Sequence, residues 1–328
     1  MLDFTVAIPT YNGASKLPLV LEKLRSQINT ENISWEVIVV DNNSSDNTSE
    51  IVQNYQSVFS EIVPIRYLFE PEQGAAFARL KAIQEAKGTY IGFLDDDVLP
   101  EQNWVSVAYS FCQAHPQAGA VGGQIHGDFE VKPPPEYKRV YPFLSIREHG
   151  SKPRLFEPNK LNLPTTASLV VSKKAWNESV PDRFTLSGRV GSSMVASEDY
   201  ELLLYIHKNG WEIWYNPEME SNHKIPANRL ERNYLLSLGR SCGLPTYFLL
   251  TINAKSWEKP ILFVRTLLGN SRRIILHLIK YRGRVRTDLI PAFELEYYWG
   301  SLLSPFYYLN NILKPDNTNK AGSLIDNG

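Results

Sequence analysis

Cysteine is scarce in this chain: Cys112 and Cys242 are the only two among 328 residues. They exclude a disulfide framework and have no metal-ligand spacing, so buried free thiols in a reducing compartment are expected. An excess of charge of either sign is also missing. The 34 Lys and Arg stand against 35 Asp and Glu, and the formal net charge of −1 points to no class of partner. No uninterrupted apolar run reaches the roughly 18 residues that a membrane-spanning helix needs. The first residues, Met1-Leu2-Asp3-Phe4-Thr5-Val6-Ala7-Ile8, carry no basic region and pass straight into strand character, so no signal peptide is expected. Gly-x-Gly-x-x-Gly does not follow the first strand and no suitable Gly-Lys-Ser/Thr occurs, which disfavours the dinucleotide fold and the P-loop. What remains is a hydrophobic content of 43% with 12% aromatics, enough for a sizeable core in one large domain or two ordinary ones.

The chain is organised around Tyr90-Ile91-Gly92-Phe93-Leu94-Asp95-Asp96-Asp97-Val98-Leu99-Pro100. A short apolar run ends in three carboxylates, as a buried parallel strand does when it delivers acids to the carboxyl edge of an open α/β sheet. Adjacent carboxylates repel one another. A hard divalent cation such as Mg²⁺ or Mn²⁺ relieves that repulsion and keeps places for phosphate. Side chains alternate along an extended chain, so Asp95 and Asp97 pair for the metal while Asp96 faces the other way. The competing reading is a solvated acidic turn before a helix that starts near Glu101.

Three strands precede this one. Phe4–Ile8 ends at Pro9-Thr10-Tyr11-Asn12-Gly13, where Ser15 is placed to cap a helix bearing Leu17, Val20, Leu21 and Leu24 at helical spacing. Trp35–Val40 ends in the polar cluster from Asp41 to Asp46, which caps a helix over Asn47–Tyr55. Ile65–Phe69 is followed by Gln73-Gly74 and a helix from Ala75 to Ala86. This alternation predicts a parallel, doubly wound sheet whose polar loops converge on one edge, where a nucleotide sits. Without a glycine-rich cradle, metal and basic side chains must neutralise its phosphates.

Four blocks now stand out: Val6-Ala7-Ile8-Pro9-Thr10-Tyr11-Asn12, Val39-Val40-Asp41-Asn42-Asn43-Ser44-Ser45-Asp46-Asn47-Thr48, Gly74-Ala75-Ala76-Phe77-Ala78-Arg79 and Phe93-Leu94-Asp95-Asp96-Asp97. In order and spacing the chain resembles the family 2 glycosyltransferases of GT-A fold, over residues 4–245. The resemblance implies a nucleotide-diphospho-sugar transferase fold, a Rossmann-like mixed α/β sheet flanked by helices, with a C-terminal helical extension. It implies Pro9, Thr10, Tyr11 and Asn12 around the nucleoside, Asp41 on the base, Arg79 at the diphosphate or base, and Asp95 and Asp96 on the donor. A carboxylate at Asp41 accepts from a base N–H, which favours uracil or guanine over cytosine, and capping of the next helix is equally open to it. Where the family has Asn after its Arg, this chain has Leu80.

Further on, Gly188–Ala196 is a small Gly/Ser segment leading to Ser197-Glu198-Asp199. A hydroxyl cap and early acids suit a helix N-terminus, and capping alone accounts for them. The resemblance implies more: Asp199 as catalytic base, with Glu198 a helper beside the acceptor. His223 follows a strand over Trp211–Tyr215; it is either a structural imidazole or, as the resemblance implies from many relatives, a group that joins the metal, with Asp95 and Asp97, or the diphosphate. Arg229, Arg232 and Arg240 on a following helix face either phosphates or solvent. Residues 127–165, with Pro133-Pro134-Pro135, Pro142, Pro153, Pro158 and Pro164, read as a long acceptor-side loop.

The last hundred residues change character. Lys259, Arg265, Arg272, Arg273, Lys280, Arg282, Arg284 and Arg286 meet only Glu258 between Trp257 and Arg286. Arg265, Arg272, Arg273 and Lys280 share about 100° of a helical wheel, opposite Phe263, Val264, Leu267, Leu268, Ile274, Ile275, Leu278 and Ile279. Such a helix either lies on an anionic membrane surface or packs its apolar face on the catalytic domain. Tyr297, Tyr298, Trp299, Phe306, Tyr307 and Tyr308 suit an interfacial belt or a subunit contact. The expected division is a catalytic domain over 1–226 (nucleotide-sugar binding to 125, acceptor side and base beyond), a helical region over 227–313 and a disordered tail over 314–328.

The resemblance therefore implies an inverting, metal-dependent transfer from a UDP-sugar or other NDP-sugar to a hydroxyl of a glycan or lipid-linked acceptor, as in bacterial surface-polysaccharide assembly, the hormogonium type included. A cytoplasmic protein, peripheral at the inner face of the membrane and able to form a homo-oligomer, goes with it; no nucleic acid is expected. A non-catalytic nucleotide-sugar-binding scaffold is the rival, and Asp95, Asp97 and Asp199 argue against it. A sugar-phosphate nucleotidyltransferase would want a glycine-rich, basic loop where Pro9–Gly13 stands.

Overall fold

In the computed structural model, residues 2–59, 63–186 and 197–313 are described. Gly188–Ala196 and the expected tail over 314–328 lie outside them. Strands and helices alternate from the start: β1 (Leu2–Thr10), α1 (Leu17–Arg25), β2 (Trp35–Asp41), α2 (Thr48–Phe59), β3 (Ile65–Phe69), α3 (Ala75–Glu85) and β4 (Gly88–Leu94). All seven residues of β2 are buried, as in a parallel strand covered on both faces. The four strands pair in parallel, in the order β3, β2, β1, β4. Thr10 lies beside Asp41, and Asp41 beside Phe69, so the polar loops leave one edge together.

The parallel expectation stops there. Next come β5 (Val98–Pro100), α4 (Trp104–Ala114), β6 (Ala118–Phe129), β7 (Arg154–Leu155), β8 (Ser168–Ser172), α5 (Lys173–Ser179), α6 (Glu198–Lys208) and β9 (Glu212–Ile225). β8 runs antiparallel to both β4 and β6. Between β6 and β8 the chain makes only short 3₁₀ turns and β7, with no helix to carry a parallel crossover. The sheet is therefore mixed, nine-stranded among the described residues, with β6, β9 and β5 completing it beyond β8 and β7 paired to β9.

Three local expectations need correction. β9 is one strand, and His223 sits within it opposite Val98 rather than after it. A register shift between Gly123 and Gln124 of β6 leaves Pro217 in a bulge, so the proline does not end the strand. Ser15 does not cap α1, which begins after Lys16 with Pro18 in its first turn. Ser197 precedes α6 at φ 93° and makes no side-chain cap.

The chain divides at Leu238 and Gly239, later than the expected 226/227, because the first turns of α7 (Arg232–Gly243), with Leu235 and Leu238 buried, cluster with the sheet. The second unit continues through α8 (Thr246–Ile252), α9 (Glu258–Tyr281), α10 (Arg284–Thr287) and α11 (Leu289–Leu313). α9 and α11 run antiparallel, with ring contacts between Phe263 and Phe306 at 5.8 Å and between His277 and Tyr298 at 5.5 Å. A Cβ on Gly300 would stand 2.3 Å from the Arg240 carbonyl, so glycine is needed where α11 crosses α7. The buried residues of α9 are Thr266, Asn270, Ile274 and His277, a mostly polar seam. His277 Nε2 meets the Pro291 carbonyl at 2.8 Å. The apolar face expected for α9 is thus split: Ile274 is buried, while Val264, Leu268, Ile275, Leu278 and Ile279 are exposed. Among the described residues no helix is long and apolar enough to cross a membrane.

Candidate active site

The loops at the carboxyl edge of β1, β2 and β4 are tied to one another by their own polar side chains. Asn12 accepts from the Ser45 N–H at 2.8 Å and its own N–H donates to Ser44 Oγ at 2.9 Å. Asn42 accepts from the Gly74 N–H at 2.7 Å and donates to the Glu72 carbonyl at 2.6 Å, joining the β2 loop to the start of α3. Gly13 lies so close that a Cβ there would sit 1.9 Å from Thr10 Oγ1. These loops frame a cavity of about 450 Å³. Pro9, Thr10, Tyr11, Arg79, Asp95, Asp96, Asp97, Glu198, Asp199 and His223 all line it.

Asp95, Asp96 and Asp97 do not alternate as on an extended chain. The backbone turns between β4 and β5, with the Val98 N–H donating to the Asp95 carbonyl at 3.0 Å, and each carboxylate meets different cations. Asp95 takes a bond from Arg79 at 3.4 Å. Asp96 accepts from Thr10 at 2.7 Å and from Lys16 at 3.0 Å. Asp97 accepts from Arg229 at 2.8 Å, with His223 Nε2 at 3.4 Å and Lys16 at 3.9 Å. The alternation argument for pairing Asp95 with Asp97 therefore fails. Burial raises Asp96, and Asp97 beside it adds to the effect, against Lys16 and Thr10. Burial would raise Asp97 too, but the Arg229 and Lys16 cations outweigh it and hold it well below the usual carboxylate range.

Asp41 and Asn12 are not on the cavity wall. Asp41 accepts from the Ser44 N–H at 2.9 Å and from the Tyr67 hydroxyl at 2.7 Å, so it serves the turn that leads to α2. Burial, together with that bond, pushes the Tyr67 hydroxyl up to about 12.

A second acidic group comes from α6. Glu198 is buried and paired with Arg79, which also reaches Asp95, so one guanidinium links the two acidic groups. Arg79 Nε and Glu198 Oε2 are buried without a hydrogen-bond partner among the described residues. Burial, then the neighbouring Glu198, push the Asp199 carboxyl up to about 7, outweighing Arg79 and Arg147. That value suits a group that must accept a proton near neutrality. Glu201, one turn on, accepts from the N–H groups of Thr185 and Leu186, each at 2.8 Å, and so ties those two residues to α6.

The residues expected to hold a metal can be tested by their donors. Among the described residues no three His, Cys, Asp or Glu side chains form a ready metal cluster. His223 Nδ1 donates to the Leu144 carbonyl at 3.0 Å, which leaves the Nε2 lone pair facing Asp97. Arg229 donates to that lone pair at 2.9 Å. One carboxylate and one oriented imidazole fit Mg²⁺ or Mn²⁺ that takes further ligands from phosphate. Arg229 now lies against both.

The sequence pattern had singled out neither Lys16 nor Tyr234, and both line the cavity. A cation six residues beyond Thr10, in a loop expected to meet phosphates, was the available signal for Lys16. Arg229 stands on a 3₁₀ turn rather than a helix. Arg232 is not on the cavity wall, and Arg240 pairs with Glu296 at 2.7 Å in the second unit.

With this geometry in hand, comparison with known proteins decides the family. The family model described as Glycosyl transferase family 2 matches residues 5–176, more than half of the chain. The chain belongs to that family. The family 2 chain is 37% identical over 93 residues to TuaG of Bacillus subtilis, a glycosyltransferase assigned to teichuronic acid biosynthesis, covering 28% of this chain and 35% of that one. It is 25% identical over 203 residues to the glucosyl-dolichyl phosphate glucuronosyltransferase of Haloferax volcanii, covering 61% of this chain and 62% of that one. Both alignments thus span less than two thirds of the relative's length. Among solved structures, the mannosyltransferase PcManGT of Pyrobaculum calidifontis, in complex with GDP-Man and Mn²⁺, superposes with a TM-score of 0.57 at 18% identity, covering 96% of this chain and 88% of that one. The fold is the GT-A fold, with helices following it.

Proposed function

We propose that this family 2 chain is an inverting glycosyltransferase. It takes a sugar from a UDP- or GDP-linked donor and passes it to a hydroxyl of a glycan or lipid-linked acceptor in surface-polysaccharide assembly. The observation that carries this reading is the single cavity in which Arg79 joins the Asp95 group to Glu198 and the raised Asp199. In one displacement the acceptor oxygen bonds to the anomeric carbon while the bond from that carbon to the diphosphate breaks. The electron pair leaves with the diphosphate and the hydroxyl proton goes to the Asp199 carboxylate. Glu198, held by Arg79, positions the acceptor beside Asp199. Lys16 and Arg229 lie where the leaving diphosphate needs positive charge.

Asp97 and His223, with Asp95 close by, would hold Mg²⁺ or Mn²⁺. Bound there, the ion supplies charge that neutralises the departing diphosphate. Pro9, Thr10 and Tyr11 take the nucleoside side, and Asp41 and Asn12 support them through the turn. The glucosyl-dolichyl phosphate in the name of one relative supports a lipid-linked acceptor. The setting that goes with it is the cytoplasm, at the inner face of the membrane.

A panel of nucleotide sugars, read by nucleotide release with Mn²⁺ and with chelator, tests the reading. One or two donors should turn over, with inversion at the anomeric carbon, and chelator should stop them. Asp97→Asn should keep the fold and lose most turnover, because a neutral amide is a poor ligand for a hard cation. Undiminished turnover in chelator or in that variant rejects the metal assignment. No turnover of any donor that binds favours the scaffold.

A further inference from the structure

The second unit leaves a row of large apolar side chains in the open. On α9, Ile261, Val264, Leu268, Ile275 and Ile279 are exposed, Leu268 to 68% and Ile279 to 63%. At the angular step of an α-helix they share an arc of about 60°. The next arc of about 120° carries Arg272, Arg265, Lys280 and Arg273, all exposed. The buried seam of Thr266, Asn270, Ile274 and His277 lies on the remaining side. On α11, Trp299, Leu303 and Phe306 are exposed, and the Phe306 ring rests on Phe263 of α9. Exposed apolar surface therefore continues from one helix to the other.

We propose that the second unit docks on an anionic lipid surface. The apolar row of α9 sinks to the level of the acyl chains, and Arg265, Arg272, Arg273 and Lys280 meet lipid phosphates beside it. Charge selects this occupant. From Trp257 to Thr287 the chain has eight Lys and Arg against Glu258 alone, although the whole chain has a net charge of −1. A second copy meeting this face about a two-fold axis would set the same arginines against one another. Residues 314–328 offer only Leu324 and Ile325 as large apolar side chains, too few to cover the row. The use of this surface, bringing the cavity to a lipid-linked acceptor, rests on the function proposed above; the surface itself does not.

The full chain is floated with vesicles of phosphatidylcholine and phosphatidylglycerol, and with phosphatidylcholine alone. Sedimentation velocity without lipid runs in parallel. Binding to the mixed vesicles is expected, weakened about fivefold by each of Arg265→Gln and Arg272→Gln. The double change Leu268→Glu with Ile275→Glu should weaken it about tenfold or more. These exposed positions leave the fold intact by circular dichroism, and donor turnover in solution stays as in the native chain. The proposal is overturned by absent vesicle binding, by equal binding to phosphatidylcholine alone, or by a lipid-free dimer that the double change dissolves. Vesicle binding without donor turnover would reject the glycosyltransferase reading and leave the lipid surface standing.

Discussion

Asp97 and Asp199 are the same side chain on the wall of one cavity, and their surroundings drive them in opposite directions. Arg229 and Lys16 overcome burial at Asp97 and hold it charged. At Asp199, burial and Glu198 overcome Arg79 and Arg147 and raise it to about 7. A carboxylate among partly exposed cations keeps its charge and can hold a cation or a phosphate-bound metal. A carboxylate beside a second acid, with the nearby Arg79 committed to Glu198 and Asp95, is ready to take a proton. Arg79 maintains the contrast, since it neutralises Glu198 and Asp95 without bonding to Asp199.

The largest test of that contrast is Asp199→Asn. Glycosyl transfer should fall by about 10²–10⁴-fold while donor affinity, measured by calorimetry, stays within a few-fold. A parallel collapse of donor affinity would return Asp199 to a structural part in α6. Next in size is Arg79→Met, which strands Glu198 in the interior. Urea unfolding should show a loss of about 3–5 kcal/mol, most of it restored when Glu198→Gln is added. A loss that the second change leaves untouched would mean Arg79 acts by packing rather than by charge.

The pH dependence sharpens the same point. Because Asp199 must be ionised to act, kcat/KM should rise about tenfold per pH unit below about 7 and flatten above it. Glu198→Gln removes the like charge and should move the break to lower pH. For stability the sign is opposite: a carboxyl raised on folding favours the folded chain at low pH, and that contribution is lost as pH rises from the ordinary carboxyl value of 3.8 to about 7. The smallest effect concerns the other acid. Arg229→Gln should strengthen Mn²⁺ binding in the absence of nucleotide by about fivefold, read by paramagnetic resonance, because the guanidinium no longer competes for Asp97 and His223. Weaker Mn²⁺ binding in that variant would make Arg229 a support for the site instead of a competitor.

Local chemistry by itself determined the first half of this protein. Apolar runs closed by Pro9, Asp41 and Asp95 are complete instructions for strands that deliver polar residues to one edge, and β3 has the bounds that its residues predict, Ile65–Phe69. The order of the four blocks, which is a property of the chain alone, was enough to point to the family. Tertiary structure decided what local patterns do not encode. The direction of β8 depends on a connection without a crossover helix, and the continuity of β9 past Pro217 depends on a bulge that its partner β6 accommodates. Asp97 and Arg229 stand 132 residues apart, and Arg79 and Glu198 stand 119 apart, so no spacing rule could join them. The outward face of α9 was equally out of reach of the wheel. Its buried seam was chosen by Pro291 and Tyr298 of α11, which take His277 inward and leave Leu268 and Ile279 outside. Periodicity says which residues share a face; only the partner helix says which face is covered.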